Sequence, residues 1–368
     1  FEDGGSDPAD DLDSYVEYLG IADNADEQLV RPLQATTYNL QIAGTDIDDD
    51  NGEIALFDAD VRGGEANDQL DRAVLELNEP TIGEIIVHTA PEDAANDVDD
   101  IDELFSDTTV RDEVATGDRL VVQVEATGLY GALVAGANNG NADDISFDRM
   151  DEGFSTQVLH NVLETTDESV EFEIMAEETT GNQDPIEVDI EALSTSNSYI
   201  LMDNDRGQFV VVVDTGSDNA FKNGDSPTDE TQFTARLKYD ADNEDERFRF
   251  ASSSNPDPFA AATNSVNYPY YTVGTTANSQ TEFQLSPREI SYENLNRDGA
   301  VQIESVSEAE VAGRTNIAPG SPVDISIDST SSAPDFFMTE TTTIDEEGAF
   351  SAEFNLRNYE VGSEFDTI

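Results

Sequence analysis

Phe233-Thr-Ala-Arg-Leu-Lys-Tyr239 alternates apolar and polar residues without a break. A side-chain period of two puts Phe233, Ala235, Leu237 and Tyr239 on one face of a strand and Thr234, Arg236 and Lys238 on the other. That is the pattern of a half-buried strand in an antiparallel sheet. The same reading extends outward in both directions. Tyr38, Leu40 and Ile42 alternate with Asn39 and Gln41, and Leu120, Val122, Val124 and Ala126 with Val121, Gln123 and Glu125. Val170, Phe172 and Ile174 alternate with Glu171 and Glu173, and Val323, Ile325 and Ile327 with Asp324, Ser326 and Asp328. Phe350, Ala352, Phe354 and Leu356 close the series. The run Phe209 to Val213 is apolar throughout and suits a central strand covered on both faces. Turns rich in Asp, Asn and Gly separate the strands, with no strand–helix–strand rhythm, so the expected fold class is all-β, built of antiparallel β-sandwich domains.

Helix signals are few and short. Leu12, Tyr15, Val16 and Leu19 recur at helical spacing, with Gly20 in the place of a C-terminal cap. Ile101, Leu104 and Phe105 predict one short helix, and Val158, Leu159, Val162 and Leu163 another, with His160 off its apolar face. Composition divides the chain into an acidic, helical segment at 1–30, a β-module at 31–91 and an acidic linker at 92–115. A central β-sandwich at 116–250 follows, then a connector at 251–280 rich in Ser, Asn, Pro and Ala, and a C-terminal sandwich at 281–368. Phe336, Phe337 and Met338 are contiguous, which predicts a strand buried on both faces, in the core and against a neighbouring domain.

Charge narrows the function classes. The 368 residues carry 82 Asp and Glu against 16 Lys and Arg, a net charge of −66. Like charges at this density push a compact chain apart in dilute buffer. In molar salt the Debye length falls to about 3 Å and most of that repulsion is screened. Lys222 and Lys238 are the only lysines. The composition implies an extreme halophile. With 37% hydrophobic and 8% aromatic residues in patterned runs, the chain has the apolar content to fold. It lacks the clustered Lys and Arg that nucleic acids or anionic membrane surfaces require, and solvent cations are its natural counter-partners. There is no cysteine, hence no disulfide and no thiolate metal site or nucleophile. No apolar stretch approaches the ~18 residues that span a bilayer. The chain opens at Phe1 without Met and stops at Ile368 in a strand-like run, which reads as a processed or truncated protein.

Catalytic sets are lacking. His88 falls in an alternating strand and His160 in a helical run, both expected to be structural. Paired carboxylates are so common here that they carry no information about hydrolysis. The expectation is a protein that is not an enzyme. The chemistry that remains is hard-cation binding, since Ca²⁺ takes six to eight oxygens. Asp46, Asp48, Asp49, Asp50 and Glu53 crowd one turn beside Asn51 and Gly52. Asp203 and Asp205 flank a turn before the buried strand, and Asp214, Asp218 and Asp225 line the loop after it. The first turn starts like an EF-hand, but its glycine comes one place late and the terminal Glu is missing.

Several segments carry a family resemblance. Ala115-Thr-Gly-Asp-Arg-Leu-Val-Val-Gln-Val-Glu-Ala-Thr-Gly-Leu-Tyr-Gly-Ala-Leu133 is similar to a segment of haloarchaeal surface glycoproteins, and Thr37-Tyr-Asn-Leu40 and Gly83-Glu-Ile-Ile-Val-His-Thr-Ala-Pro91 to the module before it. Gly313-Arg-Thr-Asn-Ile-Ala-Pro-Gly320 and Asp345-Glu-Glu-Gly-Ala-Phe-Ser-Ala-Glu-Phe354 resemble the Ig-like surface domain of the same proteins. The resemblance implies tandem Ig-like sandwiches and a secreted, S-layer-type structural protein of the extracellular cell envelope. Its expected partner is itself, in a lattice or filament, with Ca²⁺ between acidic subunits. The alternative is a surface binding protein: an adhesin, a filament subunit or an archaeal virus spike. No Asn is followed by any residue and then Ser or Thr, so N-glycosylation is not expected.

Overall fold

The computed structural model describes residues 37–43, 69–76, 78, 80–96, 98–137, 153–164, 170–176, 184–193, 197–203, 205–224, 226–227, 231–240, 266–267, 271–272, 276–330, 336–360 and 362–367. The predicted helix at Leu12–Leu19 and the acidic turn from Asp46 to Glu53 lie outside them. The chain divides into two compact units. In the first, β1 (Thr37–Ala43) pairs antiparallel with β2 (Gln69–Glu76), with a register shift between Ile42 and Ala43. β12 (Val266–Asn267) pairs with β13 (Tyr271–Thr272).

The second unit holds two sandwiches. The larger has a six-stranded antiparallel sheet of β3 (Ile82–Ala90), β4 (Thr109–Val110), β6 (Arg119–Ala126), β7 (Phe154–Ser155), β9 (Tyr199–Asp203) and β10 (Gln208–Asp214), in the order β4-β3-β6-β10-β9-β7. Opposite lies a four-stranded sheet of β5 (Glu113–Ala115), β8 (Val170–Ala176), β11 (Thr231–Asp240) and β14 (Thr276–Ser286), in the order β5-β14-β11-β8. Its β5–β14 pairing is parallel, with Val114 opposite Leu285.

Alternation explains why these layers meet. Register sets Phe209, Val211 and Val213 beside Val124, Val122 and Leu120 on one face of the larger sheet. Phe209 meets Phe172 of β8 edge to face at 6.1 Å, and Phe233 of β11 stacks on Phe283 of β14 at 5.8 Å. The opposite face carries Val210, Val212, Val121, Tyr199 and Leu201, packed under Ala95 and Leu104. Leu104 belongs to α1 (Ile101–Ser106), capped by the Asp100 carboxylate, which accepts the N–H groups of Asp102 and Glu103. The strand from Phe209 to Val213 is therefore buried on both faces, as its uniform apolarity predicts. Burying each such side chain is worth roughly 1.5–3 kcal/mol relative to exposure. Two further helices, α2 (Tyr130–Ala137) and α3 (Thr156–Glu164), pack on one another.

The smaller sandwich sets β15 (Ile290–Tyr292), β16 (Ala309–Thr315) and β19 (Ala349–Phe354) against β17 (Pro322–Ser329), β18 (Phe337–Thr343) and β20 (Phe365–Thr367). All its strand pairings are antiparallel. Val311, Ile325, Ile327, Phe350 and Phe354 form its core. At Gly313 a side chain would run into the Phe350 ring and the Ser291 carbonyl, so β16 needs a residue without one there.

Burial of Phe336–Met338 on both faces is corrected. Phe336 and Met338 pack on the core, but Phe337 is 66% exposed. β18 is an edge strand, and its outer face sets Phe337 beside Asp328 rather than against a neighbouring domain. The boundaries drawn at 91/92 and 115/116 both fall within the larger sandwich, and β14 crosses the one at 280/281.

Candidate functional site: acidic side chains of the central sandwich

β10 delivers Asp214 to the end of the larger sheet, next to Arg119 at the start of β6. The Asp214 Oδ1 atom accepts from Arg119 Nη1 at 2.6 Å and from the Gly216 N–H at 3.1 Å, and Oδ2 accepts from Asn197 Nδ2 at 3.2 Å. The Asp214 N–H donates to Ser198 Oγ at 2.9 Å. The Arg119 side chain is fully buried, and its Nε and Nη2 donate to Asn96 Oδ1 at 3.2 and 2.9 Å. Asp214 thus serves an internal cation. Asp218 is exposed in the following turn. Asp203 accepts the Arg206 N–H at 2.9 Å, and the Arg206 guanidinium reaches Asp102 at 2.6 Å, holding that carboxyl below the usual carboxylate range. Among the described residues no three His, Asp or Glu side chains converge to hold a metal ion. Asp46, Asp48, Asp49, Asp50, Glu53 and Asp225 lie outside the described residues.

Two further groups of polar residues were only half visible in the sequence. His88 is buried on the α1 side of the sheet, where its ring lies 5.3 Å from that of Phe105 and Nε2 is 3.0 Å from Gln123 Oε1. Burial pushes its pKa down. The second group lines a cavity of about 510 Å³ that includes His160, Glu171, Glu173, Glu187, Glu191 and Lys222. Strand alternation had placed Glu171 and Glu173 on one polar face and Arg236 and Lys238 on another, and the sheet order makes these faces neighbours. Lys238 pairs with Glu171 at 3.2 Å, Arg236 with Glu173, and Lys222 with Glu187 at 2.6 Å. The distance of His160 Nε2 from Glu191 is 3.7 Å.

No family-level sequence profile matches the chain. It is 26% identical over 294 residues to Cell surface glycoprotein 1 of Haloarcula hispanica, covering 79% of this chain and 29% of that protein. It is 26% identical over 370 aligned residues to Cell surface glycoprotein 2 of the same organism, covering 97% of this chain and 34% of that protein. Both of these similar proteins are haloarchaeal cell surface glycoproteins. The chain spans about a third of the length of these curated relatives. Similarity to two cell surface glycoproteins along most of the chain supports a location outside the cell, at the cell surface, and agrees with an acidic, all-β chain. Among the described residues no helix is long and apolar enough to cross a membrane.

Proposed function

We propose that the chain is a structural, non-catalytic part of a haloarchaeal cell envelope, an S-layer-like surface protein whose Ig-like sandwiches assemble with copies of themselves. The observation that carries this reading is the similarity to a cell surface glycoprotein along 97% of the chain. The charge supports the mode of assembly. Surfaces this acidic approach each other only with counter-ions between them, and a divalent ion held by oxygens of two chains both neutralises and orients them. The turn carrying Asp46, Asp48, Asp49, Asp50 and Glu53 is the leading Ca²⁺ site.

Chelating Ca²⁺ at constant molar NaCl tests the proposal. Native assemblies should release soluble, still-folded chains, read by sedimentation and circular dichroism. Assemblies that survive chelation rule out divalent bridging. Electron microscopy of native envelopes tests the structural role itself, since a tiling protein covers the cell and a binding protein does not. A groove of about 400 Å³ lined by Ile303, Phe336, Leu356, Tyr359 and Phe365, together with Glu304, Ser305, Glu360 and Ser363, favours a second reading, a surface binding protein, and a monomer that binds cells would select it.

A further inference from the structure

The two sandwiches of the second unit meet along a seam built around one carboxylate. Asp118 sits in the turn between β5 and β6, and its side chain is 1% exposed. Its Oδ1 atom accepts from Arg288 Nη2 at 3.0 Å, and its Oδ2 atom accepts the N–H of Ala318 at 2.6 Å. Ala318 comes from the smaller sandwich, between β16 and β17, and Arg288 from the short link that joins β14 of the larger sandwich to β15 of the smaller. Ile317, Ala318 and Pro319 are buried. Next to them Asn316 Nδ2 donates to Glu113 Oε1 at 3.3 Å and to the Pro287 carbonyl at 2.9 Å. Arg111 Nη2 donates to the Glu346 carbonyl at 2.9 Å.

Backbone geometry serves the same carboxylate. Gly117 has φ +100°, which calls for glycine, and a Cβ there would lie 3.0 Å from Arg288 Nη2, the atom that reaches Asp118. Thr215, just past β10, accepts the Gly117 N–H at 2.8 Å and donates to the Asp118 carbonyl at 2.7 Å. The turn that aims Asp118 is thereby tied to the most buried strand of the larger sandwich.

We propose that this seam is an electrostatic lock, with Asp118 as its latch, holding the two sandwiches as one rigid body. In a chain of net charge −66, arginines are scarce, yet Arg111 donates across this line and Arg288 donates to Asp118 from the link that joins the two sandwiches. Packing alone would join two apolar surfaces with little preference for angle. Two hydrogen bonds to opposite oxygens of one buried carboxylate fix the direction of approach. Burial pushes the Asp118 carboxyl up, so its charge is held there against a desolvation penalty that Arg288 and Ala318 offset. Shielded from solvent, the latch is screened by salt far less than the surface charges are.

The full chain contains no cysteine, so paired spin labels can be placed cleanly through Asn219→Cys in the larger sandwich and Glu353→Cys in the smaller. Pulsed electron resonance in molar NaCl should give one narrow distance. Asp118→Ala should replace it with a broad distribution, and Arg288→Gln should broaden it less, while circular dichroism stays unchanged. A broad distribution in the parent chain overturns the lock, as does a parent-like distance in both variants. Should Asp118→Ala fail to fold, Arg288→Gln decides alone, because that side chain is 44% exposed and its loss leaves both cores intact.

Discussion

Single acidic residues in this chain do opposite jobs, and composition does not separate them. Asp214 ends a buried strand and looks in sequence like its exposed neighbour Asp218, yet it neutralises the buried Arg119. Removing one partner of a buried pair costs about 3–5 kcal/mol because the other charge is stranded. Asp214→Asn should therefore lower the unfolding free energy in molar NaCl by about 3 kcal/mol, by the same amount with and without chelator. A loss that vanishes on chelation would make Asp214 a metal ligand. His88 offers a test by pH. Its folded pKa lies below the ordinary value of 6.5, so the unfolded chain takes up the proton first. The stability it contributes is complete above about pH 6.5 and is lost as pH falls toward the depressed folded value. Thermal melts between pH 7.5 and 5.5 at fixed salt should show this decline, and His88→Gln should flatten it. Asp118 has the reverse sign. Its folded pKa is raised, so its contribution diminishes as pH climbs from the ordinary carboxylate value through the raised one.

Strands were the most legible elements, because a period of two survives any tertiary arrangement. Phe233, Ala235, Leu237 and Tyr239 are all buried, and Phe209 to Val213 is covered on both faces. The short helices at Ile101–Ser106 and Thr156–Glu164 also announced themselves by spacing. Helix Tyr130–Ala137 did not, since Tyr-Gly-Ala-Leu-Val-Ala-Gly-Ala has no polar face to set a period. Nor could periodicity tell which strands pair, and so the domain boundaries fell inside a sandwich. The seam was hidden for a different reason. Its Asp118 is one acid among 82, though two of the segments that carry the family resemblance, around 115–133 and 313–320, converge on it. β18 shows where the local signal misleads. Phe336, Phe337 and Met338 read alike, but Phe337, on the outer face of that edge strand, is exposed. Phe337→Ser should leave the unfolding free energy, read from denaturant titration, within about 0.5 kcal/mol of the parent, whereas Phe354→Ala in the core should cost about 3–5 kcal/mol.

At the scale of the whole molecule, charge sets the working conditions. Like-charge repulsion from a net charge of −66 is relieved where the screening length is a few ångströms. Circular dichroism along a NaCl titration should show β-structure and melting temperature falling together toward tens of millimolar salt, and a flat response would refute that dependence. Buried features such as the Arg119–Asp214 pair should be the last to respond. The parallel pairing of β5 with β14 has another consequence, which concerns time. β14 lies between β5 and β11 in its sheet, yet Ser286 accepts from Thr116 across 170 residues of sequence. At about 5–20 residues per second, synthesis leaves β5 without its neighbour for roughly ten to thirty seconds. The sheet cannot be completed strand by strand as the chain emerges, because β5 stays unpaired until β14, the last member of the sheet, is made. A nascent chain arrested at residue 275 should be digested readily by protease, and extending it through Ser286 should confer resistance in a single step.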